Sequence, residues 1–414
     1  MRMIRRIFTI LVLWLLVGEA TAQAFFVGTA QRNINPNGNV LFIAGGKPNR
    51  PFTEVHDSLY VKAIVVSDGK SEIAIITFDC IGLLYPELKK IRTQVKEKLP
   101  DFPIDQIVMS STHTHAGPDV VGIWGKDLGH SGVNEPHMRL IIERATNAIV
   151  EARNNKKKAK LVYANGSYGE DWVKNISEPD EIDREVSVLQ FKDQKGGNLA
   201  TITNFACHPT IMDDATTMAS ADYVGGYYHY LDSLQGGMNM FLQGAIGGWV
   251  QPEDVPSSFE NATKYGSDLA KFVMNKLRKS SALLGNKIKF QSKVVYFPVL
   301  NQGFRMLSKG GIIKRDFSEK VTSEIAYFSI GNAQFATHPG ETVPALSHQT
   351  KALMKTTGPK FVMGLGMDAL GYILKPSFFD STQKIPHSEY LKGMSVGPET
   401  MQIIYKTLEE LAKK

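Results

Sequence analysis

Leu59-Tyr60-Val61-Lys62-Ala63-Ile64-Val65-Val66 is followed, after a short polar link, by Glu72-Ile73-Ala74-Ile75-Ile76-Thr77-Phe78. Both runs are rich in β-branched residues, and the link between them is too short for a helix, so two strands follow one another directly. A strict βαβ repeat would not do this, and the pair argues for mixed sheets. Working outward, strand signals recur over 106–110, 159–164, 186–191, 199–205, 239–242, 287–298, 324–330 and 360–365. Helical stripes at three- and four-residue spacing lie between them. They run through Leu88, Ile91, Val95 and Leu99, through Leu140, Ile141, Ala145, Ala148 and Ile149, and through Leu269, Phe272, Val273 and Leu277; the last takes in Ile403, Ile404, Leu408 and Leu411. The expected class is α/β, with mixed β-sheets layered with helices in a single large domain. No internal repeat is visible, and the Gly- and Lys-rich stretch 307–320 reads as a long exposed loop or a minor boundary.

The 414 residues are 43% hydrophobic and 21% charged, a globular balance that excludes a disordered chain or a polytopic membrane protein. Only two cysteines are present, which excludes a disulfide scaffold and Cys-rich zinc modules. Cys80 and Cys207 could pair in an oxidising compartment. The net charge of +6 is mild and its lysine clusters are small, so nucleic acid is not an expected partner. Arg2, Arg5 and Arg6 precede a short apolar run, and Ala20-Thr21-Ala22 follows it. That order predicts a secretory signal peptide over 1–22, a mature domain over 23–414, and export to the periplasm or beyond.

Four segments carry chemistry. Ser111-Thr112-His113-Thr114-His115-Ala116-Gly117-Pro118 directly follows a strand, so His113 and His115 can face one pocket in extended chain. Asn204-Phe205-Ala206-Cys207-His208-Pro209 puts a second histidine at a strand end, and Pro209 disfavours helical continuation. Phe335-Ala336-Thr337-His338-Pro339-Gly340-Glu341 ends on a carboxylate, and Asp368-Ala369-Leu370-Gly371-Tyr372-Ile373 carries one phenol. Imidazole is a common zinc ligand, yet each segment alone also has an ordinary structural reading as a turn, a helix terminus or core.

Together the four resemble the N-terminal catalytic region of the neutral/alkaline non-lysosomal ceramidases. Phe26-Val27-Gly28-Thr29-Ala30 is similar to that family's first strand, and Thr112-His113-Thr114-His115-Ala116-Gly117-Pro118 to its strongest signature. The resemblance runs from about Phe26 to Tyr372 and makes the chain a divergent short member. It implies a zinc ion held by His113, His208, Glu341 and Tyr372, with His115 contacting substrate. It further implies hydrolysis of an amide, an N-acyl or ceramide-like lipid bond, by zinc-activated water. His115 would serve the developing oxyanion or the leaving amine. Asp222, in a matching Asp-x-x-Gly segment, reads as support for a ligand histidine or as a helix N-cap. A lipid substrate also implies contact with a membrane surface.

Two departures shape the expectation. Where the family has a serine at the reaction centre, this chain has Gln251, which can donate a hydrogen bond to an oxyanion but cannot attack. The larger ceramidases also carry a β-rich C-terminal domain, whereas about 40 residues follow Tyr372 here, so another amide or ester is as much expected as ceramide. Trp124, Trp249, Phe378 and Phe379 are candidates for an apolar pocket or for core. One alternative is a metal-dependent amidohydrolase barrel, which Glu341 and Tyr372 fit poorly. The other is a non-catalytic, zinc-containing lipid- or glycan-binding protein in which Gln251 marks lost activity.

Overall fold

In the computed structural model, which describes residues 24–37 and 41–413, one order of elements occurs three times. The first unit comprises strands β1 (Phe25–Asn33), β2 (Tyr60–Ser67) and β3 (Glu72–Phe78), helix α1 (Tyr85–Lys98), strand β4 (Ile107–Ser111) and helix α2 (Glu135–Asn154). The first three strands pair antiparallel, and β4 joins β3 in parallel through the α1 crossover.

The second unit repeats that plan. It has β5 (Lys157–Ser167), a small insert β6 (Val173–Asn175), β7 (Glu185–Lys192), β8 (Asn198–Phe205), α3 (Tyr223–Gln235), β9 (Met238–Gln243), a ribbon strand β10 (Val250–Pro252) pairing β6, and α4 (Phe259–Leu277). Again two antiparallel pairings precede a parallel one, β8 with β9. A short pairing of β1 with β5 joins the two units, and β11 (Ser281–Ala282) adds to β5, giving nine strands in all.

The third unit has β12 (Ile288–Pro298), an inserted α5 (Gln302–Lys309), β13 (Lys320–Ile330), β14 (Ala333–Thr337), β15 (Glu341–Thr342), α6 (Pro344–Leu353) and β16 (Lys360–Met363). Then come β17 (Tyr372–Ile373), which pairs in parallel with β15, a short α7 (Ser388–Gly393) and the closing α8 (Thr400–Ala412). Its sheet, β12-β13-β14-β16, has the same two antiparallel steps and one parallel step.

Burial explains why these segments are strands. β2 and β3 are buried along nearly their whole length on both faces, which demands the continuous apolar runs read from the sequence. In the third sheet, alternate residues serve two cores. Phe335 and Phe361 stack at 4.3 Å within the larger core, while Ala336 and Val362 face the smaller one. The helical stripes are the buried faces of α1, α2, α4 and α8. Helix α3 packs tightly on α4, where a Cβ on Gly266 would lie 1.9 Å from the Tyr223 carbonyl oxygen.

The ends of the parallel strands meet. Gln243, closing β9, donates to the Thr112 carbonyl after β4 (2.9 Å), and Gly364, after β16, donates to the Gln243 carbonyl (2.9 Å). The chemistry-bearing loops leave from this junction, as ligand sites in α/β sheets generally do from carboxyl ends of strands. The sheet orders are not those of a barrel of eight parallel strands, so the amidohydrolase alternative is set aside. Stretch 307–320 is not the exposed loop expected: α5 takes its start, and Ile312, Ile313, Arg315 and Phe317 are buried. Arg315 grips Asp368 through two bonds of 2.6 Å each, a reason for a Lys-rich segment to fold inward. The signal-peptide expectation lies outside the described residues. Among those described, no helix is long and apolar enough to cross a membrane.

Candidate metal centre and active site

β4 runs one residue further than the sequence suggested, to Ser111, and the backbone then leaves the extended region. His113 has φ +69°, left-handed and strained for a non-glycine residue. The two histidines meet by that turn, and not by the pleat of an extended chain. Their rings lie edge to face at 4.9 Å, and their Nε2 atoms are 3.3 Å apart. His208, three residues beyond β8, brings its ring within 4.9 Å of His113 and 5.7 Å of His115. Glu341, the first residue of β15, places Oε2 3.1 Å from His208 Nε2 and 3.4 Å from His113 Nε2. Donor atoms of the three histidines all lie within 4.8 Å of one another.

Each imidazole has its other nitrogen engaged. His113 Nδ1 meets the Ile81 carbonyl at 2.5 Å, His208 Nδ1 the Val250 carbonyl at 2.9 Å, and His115 Nδ1 the Asp213 carboxylate at 2.9 Å. A carbonyl only accepts, so His113 and His208 carry hydrogen on Nδ1, and their Nε2 lone pairs point at Glu341. Imidazole nitrogens and a carboxylate thus face one point, the arrangement a divalent cation satisfies, with the outer hydrogen bonds that orient such ligands already made. Burial alone would raise the Glu341 carboxyl, but the neighbouring His113 and His208 outweigh it and hold it well below the usual carboxylate range. Burial pushes His115 down to about 4 against the pull of Asp213, keeping the ring neutral.

Tyr372 is the parallel-strand neighbour of Glu341 across β15 and β17. Its phenol oxygen accepts from Trp249 Nε1 at 2.6 Å and is hydrogen-bonded to Glu341. Burial, reinforced by the Glu341 charge, raises this phenol, which stands beside Glu341 at the centre. Gln251 lies two residues beyond Trp249 on the β10–β6 ribbon, half-buried opposite Lys174, and makes no hydrogen bond to the histidines or Glu341. Trp249, at φ +62°, is the residue of this loop that reaches the site. Asp222 caps α3 by accepting from the Tyr223 amide at 2.6 Å, and its other oxygen holds the Met212 amide at 2.8 Å. It touches no histidine and corresponds to the N-cap reading, with a firm grip on the loop beside His115. Cys80 and Cys207 are buried and free.

An apolar cavity opens on the centre. His113 and Glu341 stand in its wall, and Ile123, Trp124, Phe304 and Phe317 supply much of the remainder. Phe378 belongs to the smaller core, with Phe379 packed against it. Sequence reasoning missed Asp213 and Arg50. Asp213 is adjacent to Asp214, five residues after His208, but only the fold brings it to His115.

The sequence profile of the family described as "Neutral/alkaline non-lysosomal ceramidase, N-terminal" matches residues 25–237, just over half of the chain. The chain belongs to this family. The match takes in His113, His115, His208 and Asp222. Among relatives, the neutral ceramidase of Pseudomonas aeruginosa is 23% identical over 192 residues, 42% of this chain and 29% of that protein. Neutral ceramidase A of Dictyostelium discoideum is 24% identical over 235 residues, 50% of this chain and 32% of that protein. The matched segments thus span about a third of the relatives' length. The crystal structure of the Pseudomonas aeruginosa neutral ceramidase superposes with TM-score 0.76 at 18% identity, covering 94% of this chain and 75% of that one. A second structure, "Ceramidase complexed with C2", gives the same score at 16% identity. The shared fold therefore extends over the third unit, beyond the segment matched by sequence.

Proposed function

We propose that the protein is an exported, zinc-dependent hydrolase of an amide bond in an N-acyl, ceramide-like lipid. The observation that carries this reading is the convergence of acceptor-only groups at the mouth of an apolar cavity. His113, His208 and Glu341 would hold the ion, with Tyr372 beside Glu341. A zinc ion there supplies Lewis acidity toward a carbonyl oxygen and acidifies water. The rest is done by this chain. Ile81 and Val250 fix the tautomers of His113 and His208 through their carbonyls. The cavity wall takes the acyl chain and excludes water from around the scissile bond. His115 would take on Nε2 the proton given up by the attacking water and hand it to the departing amine, which cannot leave as an anion, so the ring ends neutral as it began. Gln251 takes no part as nucleophile. Exposed Leu128 (70%) and Met306 (68%), on the segments that also supply the cavity's Trp124 and Phe304, support contact with a lipid surface.

The second reading, a zinc-containing lipid- or glycan-binding protein without activity, rests on Gln251 at the family's serine position. Zinc-loaded protein screened against N-acyl substrates, from short acyl amino acids to ceramides, separates the two. Hydrolysis that improves with acyl length is the expected result. Retained metal with no turnover on any amide or ester would establish the binding protein instead.

A further inference from the structure

Within the proposed reaction, and resting on the part given there to His115, we infer that Asp213 is a positioning residue, locked by Arg50, that holds His115 in one tautomer and one orientation. Asp213 Oδ1 lies 2.9 Å from His115 Nδ1, so the carboxylate accepts that hydrogen and leaves the Nε2 lone pair facing the centre. The pair does not stand alone. Arg50 is buried at 2% exposure, and its guanidinium donates to the carbonyl of His115 at 3.0 Å, to that of Ala44 at 2.7 Å and to that of Asp213. One cation thereby ties both members of the pair to the loop before it. Gly45 closes the other side: a Cβ there would lie 2.4 Å from His115 Cγ. Gly46 fits against the carboxylates, its Cβ position being 2.9 Å from Asp213 Oδ1. The Asp222 carboxylate holds Met212 on the far side.

Three of these positions carry positive φ: Gly45 at 92°, Gly46 at 52° and Asp213 at 22°. The glycines take such angles freely, but Asp213 does not, and a strained non-glycine backbone persists only where surrounding contacts over-determine it. Four chain segments, around residues 45, 115, 213 and 222, converge to fix this ring. A core histidine would not need that. A proton carrier does, because a wrong tautomer presents N–H where a lone pair is required. Asp213 meets His115 at Nδ1, the nitrogen away from the other histidines' Nε2 atoms, so its effect passes through His115.

The test compares wild type with Asp213→Asn and Asp213→Ala in three measurements. Nitrogen-15 shifts of the His115 ring in metal-free protein should report hydrogen on Nδ1 in the wild type, a tautomer mixture in the Ala variant, and a shift toward hydrogen on Nε2 in the Asn variant, whose amide can donate to Nδ1. Zinc content should be equal in all three. On an N-acyl amide, kcat of the Ala variant should fall by about 10- to 100-fold with KM unchanged, the usual loss on removing an outer hydrogen-bond partner, and the Asn variant should lose at least as much. A p-nitrophenyl ester of the same acyl group needs no proton for its leaving group, and its hydrolysis should fall far less. An unchanged tautomer in Asp213→Ala, loss of zinc, or equal losses on amide and ester would overturn the inference. If the wild type cleaves no amide, the proposed function fails, and the ring tautomer still decides whether Asp213 positions His115.

Discussion

Glu341 Oε2 stands 3.1 Å from His208 Nε2, although His208 has already committed the hydrogen on its other nitrogen to the Val250 carbonyl. Two acceptors at that distance repel unless a positive charge lies between them. Either a metal ion or a proton must be shared there. The His113 Nε2 atom, 3.4 Å from the same oxygen, repeats the relationship.

Zinc uptake should therefore release protons. Because Glu341 is held ionised beside its histidines, the displaced protons come from the nitrogen ligands, and affinity falls as pH is lowered. Titration calorimetry in buffers of different ionisation enthalpy would show this as a buffer-dependent heat. An identical heat in every buffer contradicts it.

Trp249 and Gln251 can be told apart. Trp249→Phe removes the donor to the Tyr372 phenol and should cost about 1 kcal/mol of local stability together with a measurable loss of turnover. Gln251→Ala should leave kcat within about fivefold, since net side-chain hydrogen bonds are each worth only about 1 kcal/mol. A collapse of activity in Gln251→Ala would return it to the reaction centre.

Gly45→Ala adds a methyl group against the His115 ring at a backbone angle of +92°. Gly196 has nearly the same angle, +90°, with nothing within 4 Å of its Cβ position, and so serves as the control for backbone strain. Gly196→Ala should cost about 1 kcal/mol and spare activity, whereas Gly45→Ala should cost more and abolish turnover. Parallel urea unfolding and kinetic measurements make the comparison; equal effects would remove the steric argument.

Asp79 tests the packing between the first two units. It is fully buried at the end of β3 and accepts from the Tyr60 amide at 2.8 Å. Burial raises it to about 7, against the pull of Lys62, whose ammonium sits 3.3 Å from the centroid of the Tyr228 ring. A carboxyl raised above its unfolded value binds its proton more tightly in the native state. Its contribution is thus present at low pH and lost as pH climbs from about 4 to about 7. Asp79→Asn abolishes that slope, and its stability relative to wild type should rise across the window in urea unfolding. A constant difference would contradict the shift.

Much of the fold was legible where burial leaves a one-dimensional trace. Glu72–Phe78 reads as a strand because both its faces are covered, and the α4 stripe through Leu269 and Val273 reads as a helix because one face is. The threefold element order was not legible. The corresponding strand ends, Phe78-Asp79-Cys80 and Phe205-Ala206-Cys207, share two residues, too few to stand out from chance, and the third unit lacks even those. His113, His208 and Glu341 stood out because each follows a strand with turn residues nearby, and only the family resemblance joined them into one ligand set. Asp213 did not stand out, because its meaning depends on Arg50, 163 positions away, and on a backbone angle that only the assembled loops impose. Trp249 read in the sequence only as an apolar-pocket or core candidate, and its bond to the Tyr372 phenol depends on how the ribbon loop is placed.

The most direct measurement is metal content by atomic emission after dialysis against zinc, on wild type and on His208→Ala and Glu341→Gln. The account predicts about one zinc per chain for the wild type, as a single site of this kind holds, and little or none for either variant. Wild-type protein that emerges without zinc, or variants that retain it in full, would contradict a cation held between His113, His208 and Glu341.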